Sequence, residues 1–322
     1  MNSDHFFNSE GPTEESLRRQ WLEQLTAWRR LLAQCGRKPG RKRVHGLRVV
    51  TLRLQALLEF RLETHKHDSA VHAARRWNKQ AAKLRDALQP ARSAEVCLSK
   101  FAGLRRQVVT EDGRGVICLR QIAELERLFA RQREAAEKEL VGEIGSRRAR
   151  LERWSKEIEN EMAAPAAHPV AHSETAGAEV VRERVVELAA EFPALSADCL
   201  HAYRKRIKNL RYLAEFFAVS DPHVAHEAEG QARVLGRMQA VIGEWRDWQL
   251  LAKKARRMLR GGESALPDLL AAMEAKALRR AVRDCRRLQE RLLQAGAAAQ
   301  AQRKKPVQAV RVEREWGERQ RA

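Results

Sequence analysis

The chain predicts an all-α fold, and three observations carry that expectation. Leu, Ala, Arg, Glu and Gln dominate its 322 residues, while Gly (17), Pro (9) and β-branched runs are few, a composition that suits helices. Apolar residues recur at three- and four-residue spacing, and no stretch alternates as a half-buried strand requires. The chain also repeats itself. Val44-His45-Gly46-Leu47-Arg48, running on to Leu57-Leu58-Glu59-Phe60, returns as Leu200-His201-Ala202-Tyr203-Arg204, running on to Leu213-Ala214-Glu215-Phe216, 156 residues later (201 − 45 = 156). Leu84-Arg85-Asp86 returns as Trp245-Arg246-Asp247 at a similar offset of 161 (246 − 85 = 161), which implies duplication of a whole unit.

Residues 1–13 are polar and read as a disordered N-terminus. Thr13 and Ser16 offer a helix start before Trp21, Leu22, Leu25, Trp28 and Leu32, and Cys35-Gly36 with Pro39-Gly40 stop that helix. A second helix is expected from about 43 to 62 and a third from 70 to 88, closed by Pro90. A short helix near 93–107 and a loop through 111–115 then lead into a long helical stretch from about 117 to 162. Residues 163–178 turn to Ala, Pro, His and Ser and read as a linker, lacking the apolar face that offsets the entropy of ordering. The second half repeats the plan with helices near 179–192, 198–219, 223–260 and 266–295, punctuated by Pro193, Pro222 and Gly261-Gly262. The domain thus spans 14–300 in two halves, 14–162 and 179–300, followed by a basic tail at 301–322.

A formal charge of +20 and a pI near 10.5 place the bare protein under self-repulsion and point to a polyanionic partner. No apolar run approaches the roughly 20 residues that span a bilayer, and the first residues carry no leader-like pattern, so a cytoplasmic protein without membrane insertion is expected. Cys35, Cys97, Cys118, Cys199 and Cys285 lie far apart with no C-x-x-C pair, arguing against a zinc site and a disulfide framework. The cluster His65-Lys66-His67-Asp68 with His72 matches metal-ligand spacing only loosely and reads as a surface feature.

At about 100° per residue, His201, Arg204, Lys208, Arg211 and Glu215 share one arc of a helix, beside an apolar seam of Leu200, Tyr203, Ile207, Leu210, Ala214 and Phe217. The first copy keeps the seam and keeps His45 and Arg48, but places Leu52 and Gln55 where the second has Lys208 and Arg211. Residues 36–53 nevertheless carry seven Lys or Arg, Arg53 among them, and no acid. Arg85 and Arg246, each followed by Asp, read either as loop anchors or as anion contacts. Trp245 and Trp248 read as core. Gly36 to Lys42 fails as a phosphate-binding loop: the spacing is wrong, Ser or Thr is missing, and no strand precedes it. No catalytic constellation of paired carboxylates, metal ligands or Ser/His/Asp emerges, so no enzyme and no cofactor are expected.

The duplicated H-x-x-R helix resembles the CHAD family, the conserved-histidine α-helical domain. His201-Ala202-Tyr203-Arg204 continuing into Lys208-Asn209-Leu210-Arg211-Tyr212-Leu213-Ala214-Glu215 is similar to that family's H-x-x-R…K-x-L-R-Y-x-x-E, and Gly243 with Arg246-Asp247 to its L-G-x-x-R-D segment, where the first copy has Ala82 for the glycine. The resemblance implies two pseudo-symmetric antiparallel four-helix bundles around a basic central groove. It also implies non-catalytic binding of inorganic polyphosphate, with residence at polyphosphate granules. The candidate polyphosphate-binding residues are His45, Arg48, Arg53, Arg85, His201, Arg204, Lys208, Arg211 and Arg246. A nucleic-acid- or ribosome-associated helical protein is the alternative, since counterion release rewards any phosphate polymer, and nucleic acid is expected as a competitor. A metal-dependent phosphohydrolase using His45 and His201 is a third reading.

Overall fold

The computed structural model describes residues 14–64, 70–108, 113–163, 173–191, 197–220, 222–259 and 266–304. Among them are eight helices: α1 (Glu14–Arg37), α2 (Arg41–Thr64), α3 (Ala70–Arg105), α4 (Gly113–Ala163), α5 (Ser173–Ala190), α6 (Ala197–Ser220), α7 (Pro222–Met258) and α8 (Leu266–Lys304). The all-α expectation holds. The expected N-terminal disorder, most of the linker, residues 305–322 of the basic tail and His65, His67 and Asp68 lie outside the described residues.

Each helix buries the stripe its sequence spaces. On α1 this is Trp21, Leu25, Trp28, Leu32 and Cys35, against Cys118, Ile122, Leu125, Phe129, Leu140, Ile144, Leu151 and Ile158 of α4. Three- and four-residue steps keep such side chains on one side of the cylinder, so α3 and α4 pair over their length and α6, α7 and α8 pack likewise. Trp28 and Trp77 meet edge to face with centroids 5.4 Å apart, and Phe101 and Phe129 lie 5.9 Å apart. At the end of α1, Gly36 lets the chain close on α4: a Cβ there would sit 3.1 Å from a methyl of Ile144.

Four boundaries differ from expectation, one being the end of α8, which runs to Lys304 rather than about 295 and so into the expected basic tail. Pro90 does not close a helix; α3 runs through it from Ala70 to Arg105. The proline removes the N–H that would bond carbonyl 86, but Leu84, Leu88, Ala91, Ala94, Cys97 and Phe101 form one buried stripe spanning the site, and its burial holds the helix together. Arg48 Nη1 supplies a donor beside the gap, 3.3 Å from the carbonyl of Arg85. Gly113 to Gly115, expected in a loop, open α4, and α5 begins at Ser173, inside the expected linker.

The halves meet mainly where α2 packs on α6 and α3 on α7. Polar contacts across the seam are reciprocal. Arg53 Nη2 lies 2.9 Å from Glu215 Oε2, and Asn209, the repeat equivalent of Arg53, donates over 3.3 Å to Glu59, the repeat equivalent of Glu215. A pair of contacts related in this way is what a two-fold arrangement of like surfaces produces.

The buried polar pair of the first half gives a direct test. Trp28 Nε1 donates to Thr51 Oγ1 over 3.0 Å, and the Thr51 hydroxyl donates to the Leu47 carbonyl over 2.7 Å. Thr51→Val keeps the shape but strands the indole N–H, which costs about 1–3 kcal/mol in the core. Urea unfolding should therefore show a lowered midpoint at unchanged slope, whereas Thr51→Ser should retain most of the stability.

Candidate functional site

The cationic edges of α2 and α6 lie beside their buried seams, so packing the seams against each other brings the edges together. His45 and His201 are each the fifth residue of their helix, and Arg48 and Arg204 the eighth. The charged groups that act on one another join these to α3 and α7: Arg48 senses Arg85, Arg92 and Arg204; Lys208 senses Arg204, Arg48, Arg85 and Lys205; and His201 senses Arg246. Four helices, two from each half, therefore contribute to one cationic cluster. The first turn of α2 carries no acid to offset the positive pole of its N-terminus, and that helix opens on Arg41-Lys42-Arg43.

None of Arg48, Arg85, Arg92, Arg204, Lys205, Lys208 and Arg246 makes an ion pair among the described residues. The Nε atoms of Arg85 and Arg204 are buried and have no acceptor. The nearest acids are committed elsewhere: Asp247 lies 3.8 Å from Lys100, and Glu59 accepts from Asn209. Burial pushes both carboxyls up, against the pull of the surrounding cations. Arg204 packs on α7 beside Gly243, where a Cβ would stand in ordinary contact, 3.5 Å from Arg204 Nη2.

Burial first, and then the neighbouring guanidinium groups, hold both histidines below the ordinary imidazole value of 6.5. They are neutral at pH 7 while the site is empty. The same two causes bring the Lys208 ammonium down to about 8. A cluster whose own members depress one another's protonation is one that an anion would relieve.

The structure sorts the nine sequence candidates into two groups. His45, Arg48, Arg85, His201, Arg204, Lys208 and Arg246 join the cluster. Arg53 and Arg211 do not: both grip Glu215, at 2.9 and 2.7 Å, and both lie against the ring of buried Tyr212, at 5.7 and 5.9 Å from its centroid. Leu52 and Ala56 pack on Tyr212, and Gln55 is buried and donates to the Asn78 carbonyl over 3.4 Å, which explains why the first copy carries no cation at 52 or 55. Asp247 anchors Lys100, whereas Asp86 is exposed. Trp245 and Trp248 are core, Trp248 donating to Glu244 over 2.8 Å.

Arg92 and Lys205 belong to the cluster and were missed. The signal for Arg92 was present, since it lies seven residues after Arg85 and hence on the same helical face. Ending the helix at Pro90 concealed it. Among the described residues no group of three or more His, Cys, Asp or Glu could hold a metal ion. Cys35, Cys97, Cys118 and Cys285 are buried free thiols, and burial pushes Cys35, Cys97 and Cys285 up to about 12.

The chain matches the CHAD domain over residues 15–256. Among solved structures it is similar to PptA from Streptomyces chartreusis, at 18% identity and a TM-score of 0.62, covering 88% of this chain and 99% of that one. It is similar also to the CHAD domain from the plant Ricinus communis, at 17% identity and a TM-score of 0.61, covering 90% and 93%. None of the curated proteins compared matches it.

Anion binding at this cluster should take up protons. A bound anion raises the Lys208 value above about 8, so the added affinity is complete below that pH and is lost as pH rises through the bound-state value. A further gain should appear below pH 6.5 as His45 and His201 charge. Titration with dextran sulfate, whose charge is constant over this range, should show affinity falling between pH 8 and 10, and Lys208→Arg should remove that step.

Proposed function

We infer the function from two premises: the chain belongs to the CHAD domain family, and its seven converging Arg and Lys side chains make no ion pair among the described residues. The protein binds inorganic polyphosphate in the groove between its halves and does not hydrolyse it. The observation that carries this reading is the pair of buried guanidinium Nε atoms, on Arg85 from one half and Arg204 from the other, left without an acceptor. A chain of phosphates offers acceptor oxygens at short regular intervals and asks only for donors. Arginine forks and lysines supply charge-assisted hydrogen bonds to them.

The aromatic residues favour polyphosphate over single-stranded nucleic acid. Trp245 is 1% exposed, Trp248 5% and Tyr212 5%, and among the described residues every strongly exposed large apolar side chain is aliphatic. Readers of single strands stack bases on accessible rings. No described helix is long and apolar enough to cross a membrane. Residence in the cytoplasm at polyphosphate granules belongs to the same proposal.

Arg53 and Arg211, held by Glu215, contribute less than the cluster, and the two halves contribute comparably. Each lost phosphate contact in a partly desolvated site costs about 1.5–3 kcal/mol. Arg48→Gln with Arg85→Gln, and Arg204→Gln with Lys208→Gln, should each weaken binding of long polyphosphate at least tenfold, with helicity retained by circular dichroism. Arg53→Gln with Arg211→Gln should cost less. Wild-type affinity should fall linearly with salt on logarithmic axes and survive equal-charge DNA and RNA as competitors. Equal competition by RNA would move the assignment to nucleic acid, and a flat salt response would exclude the groove. Incubation with polyphosphate and Mg²⁺ or Mn²⁺ should release no phosphate; release lost on His45→Ala would establish the phosphohydrolase instead.

A further inference from the structure

Beside Tyr212, and lined by none of the cluster residues, lies a cavity of about 750 Å³ between α1, α2, α6 and α7. Its chemistry differs from that of the groove. One wall is apolar, made by Leu57, Phe216, Ala218, Ala232 and Ala240. On α1, Gln20 and Gln24 stand one helical turn apart and line it, and the Gln24 Oε1 atom is buried with no hydrogen-bond donor among the described residues. On α7, exposed Glu229, Arg233 and Arg237 follow one another at one-turn steps along the rim, and the two arginines make no ion pair among the described residues. Arg53 and Arg211 line the same space but are neutralised by Glu215, although the buried Arg53 Nε still lacks an acceptor.

A polyphosphate chain fits this cavity poorly. It has no apolar surface for the wall and no N–H for an unpartnered amide oxygen. What matches all three features is a small molecule with a phosphate head, a flat body and a hydrogen-bonding edge. We propose that this cavity is a second ligand site, separate from the groove, which takes a nucleoside phosphate: phosphates at Arg233 and Arg237, the base against the Leu57 and Phe216 wall with its edge read by Gln20 and Gln24. The volume lies within the range of small-molecule sites. Glutamine amides suit a base edge that carries both donors and acceptors, and guanidinium planes can stack on it where aromatic rings are buried. The proposal does not depend on polyphosphate occupying the groove.

Isothermal titration of the full chain with ATP, ADP and AMP tests it, with tripolyphosphate and adenosine as partial probes. Binding of one or more of the nucleotides tighter than both partial probes is expected. Arg233→Gln with Arg237→Gln should weaken nucleotide binding at least tenfold. Gln24→Leu should weaken it severalfold and leave tripolyphosphate unaffected, which separates base recognition from charge. Arg48→Gln with Arg85→Gln should leave it in place while weakening polyphosphate binding. No nucleotide binding at millimolar concentration would overturn the proposal. So would nucleotide binding that tripolyphosphate displaces, that the Arg48 and Arg85 changes abolish and that the α7 changes leave intact, since the nucleotide would then be one more polyanion in the groove. Failure of polyphosphate binding with intact nucleotide binding would overturn the groove assignment alone.

Discussion

The structure depends on one constraint: α2 and α6 cannot bury their apolar seams against the rest of the protein without also bringing their cationic edges together. On each helix the two arcs are neighbours, so Leu47, Leu54 and Leu58 carry Arg48 with them, and Leu200, Ile207 and Leu210 carry Arg204 and Lys208. Burying one leucine side chain is worth about 1.5–3 kcal/mol. Two unit charges about 7 Å apart in a partly solvated protein repel by about 2 kcal/mol. Several apolar side chains buried on each helix oppose that repulsion without relieving it. Burial first, and that repulsion after it, depress the protonation of Lys208 and of both histidines, and the part due to charge is what an anion can recover.

Around that centre the protein distributes its acids economically. Glu215 and Glu59 occupy equivalent places in the repeat and hold the seam, one through Arg53, the other through Asn209. Glu244 and Asp247 hold Lys100 of the opposite half. Carboxylates thus tie the halves together at the periphery, through Arg53, Asn209 and Lys100 outside the cluster, while the guanidinium groups at the centre make no ion pair among the described residues. The two regimes meet at Tyr212, which packs on Leu52 and Ala56, lies against Arg53 and Arg211 of the Glu215 clamp, and acts on Arg48 and Arg204 of the cluster. The substitution of Leu52 and Gln55 for cations in the first copy is thereby a packing requirement, since both positions are buried at this seam.

Helix content, the positions of most helix ends, the core stripes and the cationic edges beside them were legible because they are local consequences of a 3.6-residue period. Trp28, Trp245 and Leu210 are buried for the reason their spacing implied. Pro90 shows the limit of that logic. Read alone it ends a helix; in the folded chain a buried stripe on both sides of it outweighs one missing hydrogen bond. The misplaced boundary also hid Arg92, whose face is defined only if the helix continues.

The sequence by itself determined that this protein is helical, repeats a cationic edge beside an apolar seam, and carries more positive charge than its own acids can answer, because each of these follows from residue identity and helical spacing. Only the tertiary structure decided which cations share a site. Arg211 and Lys208 lie three residues apart on one arc, yet one grips Glu215 beside an amphipathic cavity and the other faces Arg48 and Arg85. That choice is made by what the opposite helix presents at each level of the seam, a relation between residues far apart in the chain that no local period encodes.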